Sequence, residues 1–209
     1  MRTNVYIDGF NLYYGCVKDT PYKWLDLDAL CRQVLPGHTI QRIRYFTARV
    51  RAPSGDPGKP QRQDIYLRAL RTIPGLTIHF GTFLSHPKFM PLVHPKPGDP
   101  PTVEVLRTDE KGSDVNLASY LLVDGFEHDY DIAVIVSNDS DLATPIQIVR
   151  EKLGLQVGVV NPQRDHAVAW ALKKAATFYR DIHESALVAS QFPAILRDAH
   201  GTITKPKGW

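Results

Sequence analysis

Residues Ile132–Val136 form an unbroken run of five apolar side chains, four of them β-branched. A strand with one face in water alternates apolar and polar residues, so an unbroken apolar run predicts a strand that is covered on both faces. Such strands are typical of parallel sheets, in which helices pack against both sides. This run constrains the fold more strongly than any other part of the chain.

Strand and helix patterns alternate along the rest of the sequence. Strand patterns lie at residues 4–7, 39–50, 76–83 and 157–160, and Val103 with Val105 marks a further short strand. Helical spacing of apolar residues predicts helices after Asp26, at about 61–72, from about Ser113, from about Ala143, and over roughly 166–176. The alternation predicts a Rossmann-like three-layer α/β fold built on a parallel sheet.

Two proline-rich stretches interrupt this alternation. Residues 52–60 carry three prolines and two glycines, which predicts a loop. Residues 85–101 hold six prolines and show no periodicity, so they predict a long irregular loop.

The length of 209 residues fits a single domain, which we place at residues 1–189 with a C-terminal tail at 190–209. No apolar run approaches the length of a membrane span, and the N-terminal residues carry no signal-peptide core. These features predict a cytoplasmic protein. Cys16 and Cys31 lack metal-ligand or redox-motif spacing, so they are expected to be buried thiols.

Acidic residues follow two of the predicted strands and begin one predicted helix. Asp8 ends the first strand, Asp139 and Asp141 follow the unbroken apolar strand, and Asp114 lies in the first turn of the helix near Ser113. In parallel sheets the reactive site lies beyond the carboxyl ends of the strands, so these carboxylates are expected to converge. Converging carboxylates need a cation, and oxygen ligands suit Mg²⁺ or Mn²⁺.

Each of these acids also has a purely structural interpretation. Asp8 before Gly9 can shape a turn, and Asp141 can cap the following helix. Asp114 is favoured in a first helical turn by the helix dipole, and Asn11 can cap a short helix. The functional interpretation therefore depends on the set rather than on any single member.

Charge is distributed unevenly along the chain. Residues 41–75 hold eight basic and two acidic residues, whereas residues 104–141 hold ten acidic and two basic ones. A basic segment can bind phosphate backbones and an acidic one can hold cations, although both can also be solvated faces. Candidate RNA-binding residues are Arg49, Arg51, Lys59, Arg62 and Lys111. Tyr13, Tyr14 and Trp24 could stack on bases, but aromatic residues beside apolar neighbours usually belong to the core.

Three segments together resemble the NYN domain, a branch of the PIN-like metal-dependent nucleases. They are YIDGFN at residues 6–11, KGSDV at 111–115 and VSNDSDL at 136–142. The resemblance covers about residues 4–161 and implies a Rossmann-like parallel sheet and metal-dependent endoribonuclease activity. It implies that Asp8, Asp114, Asp139 and Asp141 bind metal, that Asn11 fixes Asp8, and that Ser137 is the hydroxyl at the strand end. Many relatives carry a further acid two turns into the helix after Asp114, where this chain has Tyr120, which bears on the number of metal ions.

The sequence thus predicts a ribonuclease that uses Mg²⁺ or Mn²⁺ to cut RNA internally, and it leaves the oligomeric state open, with a homodimer as one option. The alternative is a non-catalytic module that binds RNA or a protein partner on the same scaffold. A phosphate-ester hydrolase with an aspartyl nucleophile is a third reading. Such enzymes commonly carry a second acid two residues after the first, and Phe10 occupies that position.

Overall fold

The computed structural model describes residues 1–52, 55–163 and 166–209. Residues 53 and 54 of the predicted loop at 52–60 lie outside the described residues. The strands are Arg2–Asp8 (β1), Thr39–Ala48 (β2), Leu76–Met90 (β3), Val103–Lys111 (β4), Ile132–Val136 (β5), Gln156–Asn161 (β6), Phe178–Asp181 (β7), Ile195–Asp198 (β8) and Gly201–Thr204 (β9). The α-helices are Gly9–Leu12 (α1), Leu27–Val34 (α2), Lys59–Leu70 (α3), Ser113–Phe126 (α4), Ala143–Leu153 (α5), Trp170–Ala175 (α6) and Glu184–Ala189 (α7). A π-helical turn follows α1 at Tyr13–Val17, and a 3₁₀ turn at Ser140–Leu142 leads into α5.

Seven of these strands form one sheet in the order β4-β3-β2-β1-β5-β6-β7. Strands β1, β2, β5, β6 and β7 pair in parallel, and β3 joins β2 in parallel through Leu76 to Gly81. Helices cover both faces, so the predicted Rossmann-like three-layer parallel fold is confirmed. The antiparallel pair β3–β4 is the exception within this sheet.

Alternation along the central strands divides the core into two layers. In β1, Val5 and Ile7 belong to one buried cluster, which also contains the apolar residues of α2, α3 and α7. Tyr6 points to the other cluster, which contains those of α4, α5 and α6. All five residues of β5 are buried. The unbroken apolar run therefore has the position predicted for it, at the centre of the sheet between two helical layers.

The predicted irregular loop at 85–101 is partly wrong. Strand β3 continues through Pro87 to Met90 and pairs antiparallel with β4 over nine residue pairs. Beyond Gly81 this hairpin has left β2, so each of its strands has a hydrogen-bonded neighbour on one side. A proline is tolerated on the open side of such a strand because no ladder hydrogen bond is lost there.

Local signals explain where several helices begin and end. Asp26 caps α2 by accepting hydrogen bonds from the N–H groups of Asp28 and Ala29. Gly154 ends α5 in the left-handed conformation (φ 67°), and Pro145 lies in the first turn of that helix. The helix predicted over 166–176 is shorter than expected, because α6 begins at Trp170.

The segment at residues 190–209, which the sequence sets apart as a tail, packs on the domain. Strands β8 and β9 pair with each other, and Phe192 and Ile203 belong to the core cluster of α2 and α3. Arg68 of α3 forms a bidentate ion pair with Asp198 of β8, with N–O distances of 2.7 and 2.6 Å. Cys16 and Cys31 are buried thiols, as predicted.

None of the helices in the described residues combines the length and the apolar character needed to span a bilayer.

Candidate functional site

The two central strands bring the first and third motifs to the same edge of the sheet. Strands β1 and β5 pair in parallel with Ile7 opposite Val136. The next residue of each strand, Asp8 and Ser137, therefore leaves the sheet at the same level. This juxtaposition follows from the parallel pairing of the strands and not from any nearness in sequence.

Asp8 is buried and held through both carboxylate oxygens. Its Oδ1 accepts hydrogen bonds from the backbone N–H groups of Phe10 (3.1 Å) and Asn11 (2.9 Å), so Asp8 caps the short helix α1. Its Oδ2 accepts a hydrogen bond from the Ser137 hydroxyl at 3.1 Å. Burial raises the pKa of Asp8, and these three hydrogen bonds oppose that increase by stabilising the charged form.

Ser137 also connects Asp8 to Asp139. The Ser137 Oγ that donates to Asp8 accepts a hydrogen bond from the backbone N–H of Asp139 at 3.1 Å. Asp139 caps the 3₁₀ turn, with its Oδ1 accepting from the N–H of Asp141 at 3.0 Å. Asp139 is therefore fixed by local backbone geometry, whereas the Asp141 side chain is exposed.

Asp114 approaches the same edge from helix α4. Gly112 adopts the left-handed conformation (φ 99°) immediately before this helix, which turns the chain from β4 into α4. Partial desolvation raises the pKa of Asp114 to about 6, and the negative charges of Asp8, Asp139, Glu110 and Asp141 add to the increase. Four other carboxylates thus lie close enough to Asp114 to affect it electrostatically.

We call the depression between these residues the acid cleft. It has a volume of about 580 Å³, and its charged lining includes Asp8, Glu110, Asp114 and Asp139. No lysine or arginine is among the described residues that line it. Asp141 lies outside the lining, but its negative charge still acts on Asp114. The structure therefore brings three of the four predicted metal-binding aspartates into one cleft, with the fourth nearby.

The acid cleft does not present a closed coordination shell. Within the described ranges, no three histidine, cysteine, aspartate or glutamate side chains are arranged to hold one ion directly. Mg²⁺ commonly keeps several water ligands and is held by only one or two carboxylates. The carboxylates of the cleft thus fit a divalent cation that keeps several water ligands better than a cation ligated only by protein side chains.

The amino-acid sequence matches the NYN domain family over residues 2–183. This span includes every acidic residue of the cleft and all seven strands of the main sheet. The chain belongs to the NYN domain family. The family is nuclease-like, which agrees with a cleft of carboxylates at the sheet edge.

Two known proteins are similar to this chain, one in sequence and the other in fold. The 6-hydroxy-3-succinoylpyridine 3-monooxygenase of Pseudomonas putida (strain DSM 28022 / S16) is 33% identical over 238 residues, which cover 100% of this chain and 75% of that protein. A crystal structure of a protein of unknown function from Vibrio parahaemolyticus RIMD 2210633 matches with a TM-score of 0.55 at 16% identity. That match covers 91% of this chain and 96% of that chain, and at such low identity it shows the fold alone.

Asn11 of this NYN domain contacts Asp8 through its backbone and a neighbouring loop through its side chain. Its backbone N–H fixes Asp8, but its side-chain Oδ1 accepts a hydrogen bond from the N–H of Asn138 at 3.0 Å. Asn138 in turn donates to Gln163 Oε1 (3.1 Å) and accepts from the N–H of Ala169 (2.7 Å). The side-chain amides of the two asparagines therefore connect the loops around the cleft, and the contact between Asn11 and the Asp8 carboxylate is made by the backbone N–H.

Glu110 is a cleft residue that the sequence reading did not single out. It accepts hydrogen bonds from the N–H (3.2 Å) and the hydroxyl (2.8 Å) of Ser113 through Oε1. Gly81 leaves room for it, because a β-carbon at that position would come within 2.0 Å of the same oxygen. The available signal was the acid three residues before Ser113, but the hairpin that brings Glu110 to the cleft was not predicted.

The predicted RNA-binding residues lie around the NYN domain, and none lines the acid cleft. Arg49 pairs with Asp64, and Arg62 pairs with Asp56. Arg51 reaches the hydroxyl of Ser85 (3.4 Å) and the carbonyl of Phe83 (3.5 Å). Lys59 begins α3, and Lys111 ends β4 with its side chain exposed.

Tyr120, where the resemblance to the NYN domain implies a further acid, packs away from the cleft. Its ring lies 4.2 Å from the ring of His79 and 4.4 Å from the guanidinium carbon of Arg44. The tyrosine therefore belongs to an aromatic and cationic cluster between α4 and the sheet. The additional acidity in the cleft comes from Glu110.

Proposed function

We propose that this chain is a metal-dependent endoribonuclease that hydrolyses RNA phosphodiester bonds in the acid cleft. In this proposal Asp8, Asp114, Asp139 and Asp141 hold hydrated Mg²⁺ or Mn²⁺, partly through the water ligands of the ion. The observation that carries it is the convergence of carboxylates from β1, α4 and the turn after β5, in a chain of a nuclease-like family.

The electrostatics of the cleft support a bound cation. Mutual repulsion contributes to the raised pKa of Asp114, and a divalent cation between the carboxylates would remove that repulsion. When bound, such an ion would lower the pKa of a water ligand and neutralise charge on the phosphate.

The side chains of the cleft would have separate roles in metal binding, proton transfer and loop positioning. Asp8 and Asp139 have fixed positions because Ser137 and local backbone N–H groups hold them. Asp114 accepts no hydrogen bond from the described residues, so one of its oxygens would hold the cation while the other accepts a proton from an attacking water. Hydrolysis joins the water oxygen to phosphorus and breaks the bond to one ester oxygen, which takes up a proton from solvent and leaves as a hydroxyl group. The hydrogen bond between Asn11 and Asn138 holds the surrounding loops in place during this step.

A second candidate function comes from the relative that is 33% identical over the whole of this chain. Its name describes oxygenation of a hydroxypyridine that bears a succinoyl side chain. A monooxygenase places one atom of dioxygen in the substrate and reduces the other to water, so it needs a reductant that supplies two electrons. The specific observation in favour of this function is the identity itself, which extends across both the acid cleft and the C-terminal segment.

One experiment separates these functions. The purified chain is incubated with end-labelled single-stranded RNA in Mg²⁺, in Mn²⁺ and in EDTA. In parallel it is incubated with 6-hydroxy-3-succinoylpyridine, dioxygen and a reduced nicotinamide or flavin. The proposal expects internal RNA products that depend on the metal and no consumption of the pyridine.

Two results would contradict the ribonuclease proposal. RNA that is bound but yields no products in any metal would identify a non-catalytic module. Consumption of the pyridine and dioxygen in the absence of RNA products would establish the oxygenation function instead.

A further inference from the structure

A second cavity lies beside the acid cleft, and the proposed hydrolysis does not use it. It has a volume of about 330 Å³ and is formed by α1, the π-helical turn, β2, α3 and the last residue of the chain. Six aromatic side chains contribute to its wall: Phe10, Tyr13, Tyr14, Tyr45, Tyr66 and Trp209. We call it the aromatic cavity. Its volume is near the lower end of the range of about 300–1,000 Å³ for small-molecule sites.

The aromatic rings of this cavity are held by one another and by the backbone. Tyr13 packs edge to face on Tyr14 with ring centroids 5.2 Å apart, and Tyr66 lies 5.7 Å from Trp209. Tyr45 lies directly against Gly9, where a β-carbon would come within 2.7 Å of its ring. Preformed aromatic faces of this kind favour a planar ring as the ligand, because stacking then costs little side-chain entropy.

The charged residues of the cavity favour an anion. Among the residues that the structure describes, three cations line it, and one of them, Arg62, is neutralised by Asp56. The remaining two, Lys23 and Lys59, are half-buried and have no ion-pair partner among residues 1–52, 55–163 and 166–209. The other acidic residue of the lining, Asp19, lies 3.9 Å from Lys18. Two ammonium groups are thus left to bind an anionic group of a ligand.

The aromatic cavity and the acid cleft are neighbours with opposite charge. Phe10 and Tyr14 line both of them. The Phe10 ring also packs edge to face on Phe83, a residue of the cleft, with ring centroids 5.6 Å apart. A ligand in the aromatic cavity therefore lies next to the carboxylates of the cleft.

We propose that the aromatic cavity binds a planar aromatic ring that carries an anionic group, with the ring against the tyrosines and the anion near Lys23 and Lys59. Two sources supply this chemistry: a nucleotide unit, with its base and phosphate, and a free aromatic carboxylic acid. The proposal is independent of the ribonuclease proposal, because it requires neither a metal nor cleavage.

The test compares matched anionic and neutral rings on the full chain. Isothermal titration calorimetry in EDTA buffer measures the binding of uridine monophosphate against uridine, and of pyridine-3-carboxylate against pyridine-3-carboxamide. At least one anionic ring is expected to bind about tenfold or more tightly than its neutral partner, the size of one charge-assisted hydrogen bond. Tighter binding of the monophosphate identifies a nucleotide subsite, and tighter binding of the carboxylate identifies a site for a small aromatic acid.

Variants locate the site. The double variant Lys23→Ala and Lys59→Ala should reduce the affinity for the anionic ring to that of the neutral one. Lys152→Ala, which removes an exposed lysine of α5, should leave it unchanged. Circular dichroism checks that each variant is folded. If a variant does not fold, the comparison of anionic and neutral ligands on the unmodified chain still tests the proposal.

The proposal is overturned when neither anionic ring shows saturable binding, or when the folded double lysine variant binds it as tightly as the unmodified chain. Because the buffer contains EDTA, neither result affects the cleavage experiment. Loss of cleavage in that experiment likewise leaves the binding result standing.

Discussion

Ser137 is the residue through which the ends of the two central strands share one hydrogen-bond network. Its hydroxyl donates to the buried Asp8 carboxylate and accepts from the N–H of Asp139. A serine has the single donor and the acceptor capacity that these two contacts require. Ser137 therefore connects the two aspartates, while backbone N–H groups of Phe10, Asn11 and Asp141 fix the orientation of their carboxylates.

Asp114 provides a pH-dependent readout of the cleft. Its pKa in the folded chain is about 6, against an ordinary value of 3.8. Between these two pH values the folded state holds the proton more often than the unfolded chain does. Protonation of Asp114 therefore contributes to the free energy of unfolding. This contribution is fully present below pH 3.8 and is lost as the pH rises through 6.

We therefore expect Asp114→Asn to gain stability relative to the unmodified chain as the pH rises from about 4 to about 7 in EDTA. Urea unfolding at several pH values measures the difference in the free energy of unfolding. Asp99→Asn, on an exposed loop, serves as the control and should show no such trend. A difference for Asp114→Asn that is constant over this pH range would contradict the electrostatic account of the cleft.

Individual site residues could be predicted from sequence where they follow strands. Asp8 comes directly after an apolar run and Asp139 three residues after one, and parallel pairing then brings the two strand ends together. Glu110 was not predicted, because its place at the cleft depends on the antiparallel hairpin of β3 and β4. The pairing of Arg62 with Asp56 was not predicted either, since six residues separate them across a loop and a helix start.

Among the secondary-structure elements, helix α4 is tied to the sheet by a buried ionic network. Asp124 of α4 accepts two hydrogen bonds from Arg44 of β2, both at 2.7 Å, and a third from the Tyr6 hydroxyl of β1 at 2.6 Å. Burial is the main cause of the raised pKa of Tyr6, so this hydroxyl stays protonated and donates. The network fixes the helix that carries Asp114 against two strands.

Removal of one partner from this network should leave a buried charge unpaired. We expect Asp124→Ala to lower the free energy of unfolding by about 3–5 kcal/mol. The matched control is Asp28→Ala, which breaks the exposed ion pair with Arg32 and should cost less than about 0.5 kcal/mol. Urea unfolding at neutral pH measures both. A cost for Asp124→Ala as small as that of the control would mean that the network does not hold α4.

The β3–β4 hairpin shows why this element was not predicted from sequence. Pro87 and the prolines after Met90 remove the usual strand signals, and residues 85–90 have no clear alternation of apolar and polar side chains. Their pairing with β4 supplies the strand geometry from outside the segment. An element that depends on a partner 13 or more residues away leaves little trace in a local sequence window.

Over the whole molecule, the distribution of charge differs from the distribution along the sequence. Much of the basic stretch at 41–75 is neutralised in the fold, since Arg42, Arg44, Arg49, Arg62 and Arg68 all form ion pairs with aspartates. Arg51 forms none within the described part of the chain, and it approaches Phe83 at the edge of the acid cleft. Net sequence charge thus overstates the cationic surface available to RNA.

This difference predicts unequal effects for two neighbouring arginines. Arg51→Ala should weaken RNA binding and lower the slope of log affinity against log salt concentration by about 1, the value for one lost phosphate contact. Arg49→Ala should change the slope little, because Asp64 already neutralises this side chain. A salt titration of RNA binding in EDTA compares them. Equal slopes for Arg51→Ala and the unmodified chain would place Arg51 away from the RNA.

The overall architecture was predictable because helix and strand patterns alternate and the central strand is apolar throughout. The packing of residues 190–209 on the domain was not, since short strands such as β8 and β9 have no strong periodic signal. Their position follows from tertiary contacts, namely Ile203 in the core and Asp198 on Arg68. Sequence patterns report local preference, and these contacts lie far apart in the chain.

The central claim is that the acid cleft is where RNA is cut, and single-turnover cleavage by Asp139→Asn tests it most directly. Asparagine keeps the oxygen that caps the 3₁₀ turn, so the variant should unfold at the same temperature as the unmodified chain. In saturating RNA with Mn²⁺ its cleavage rate should fall on the order of 100-fold or more. Asp99→Asn should cut at the unmodified rate. A folded Asp139→Asn protein that cuts RNA as fast as the unmodified chain would contradict the account.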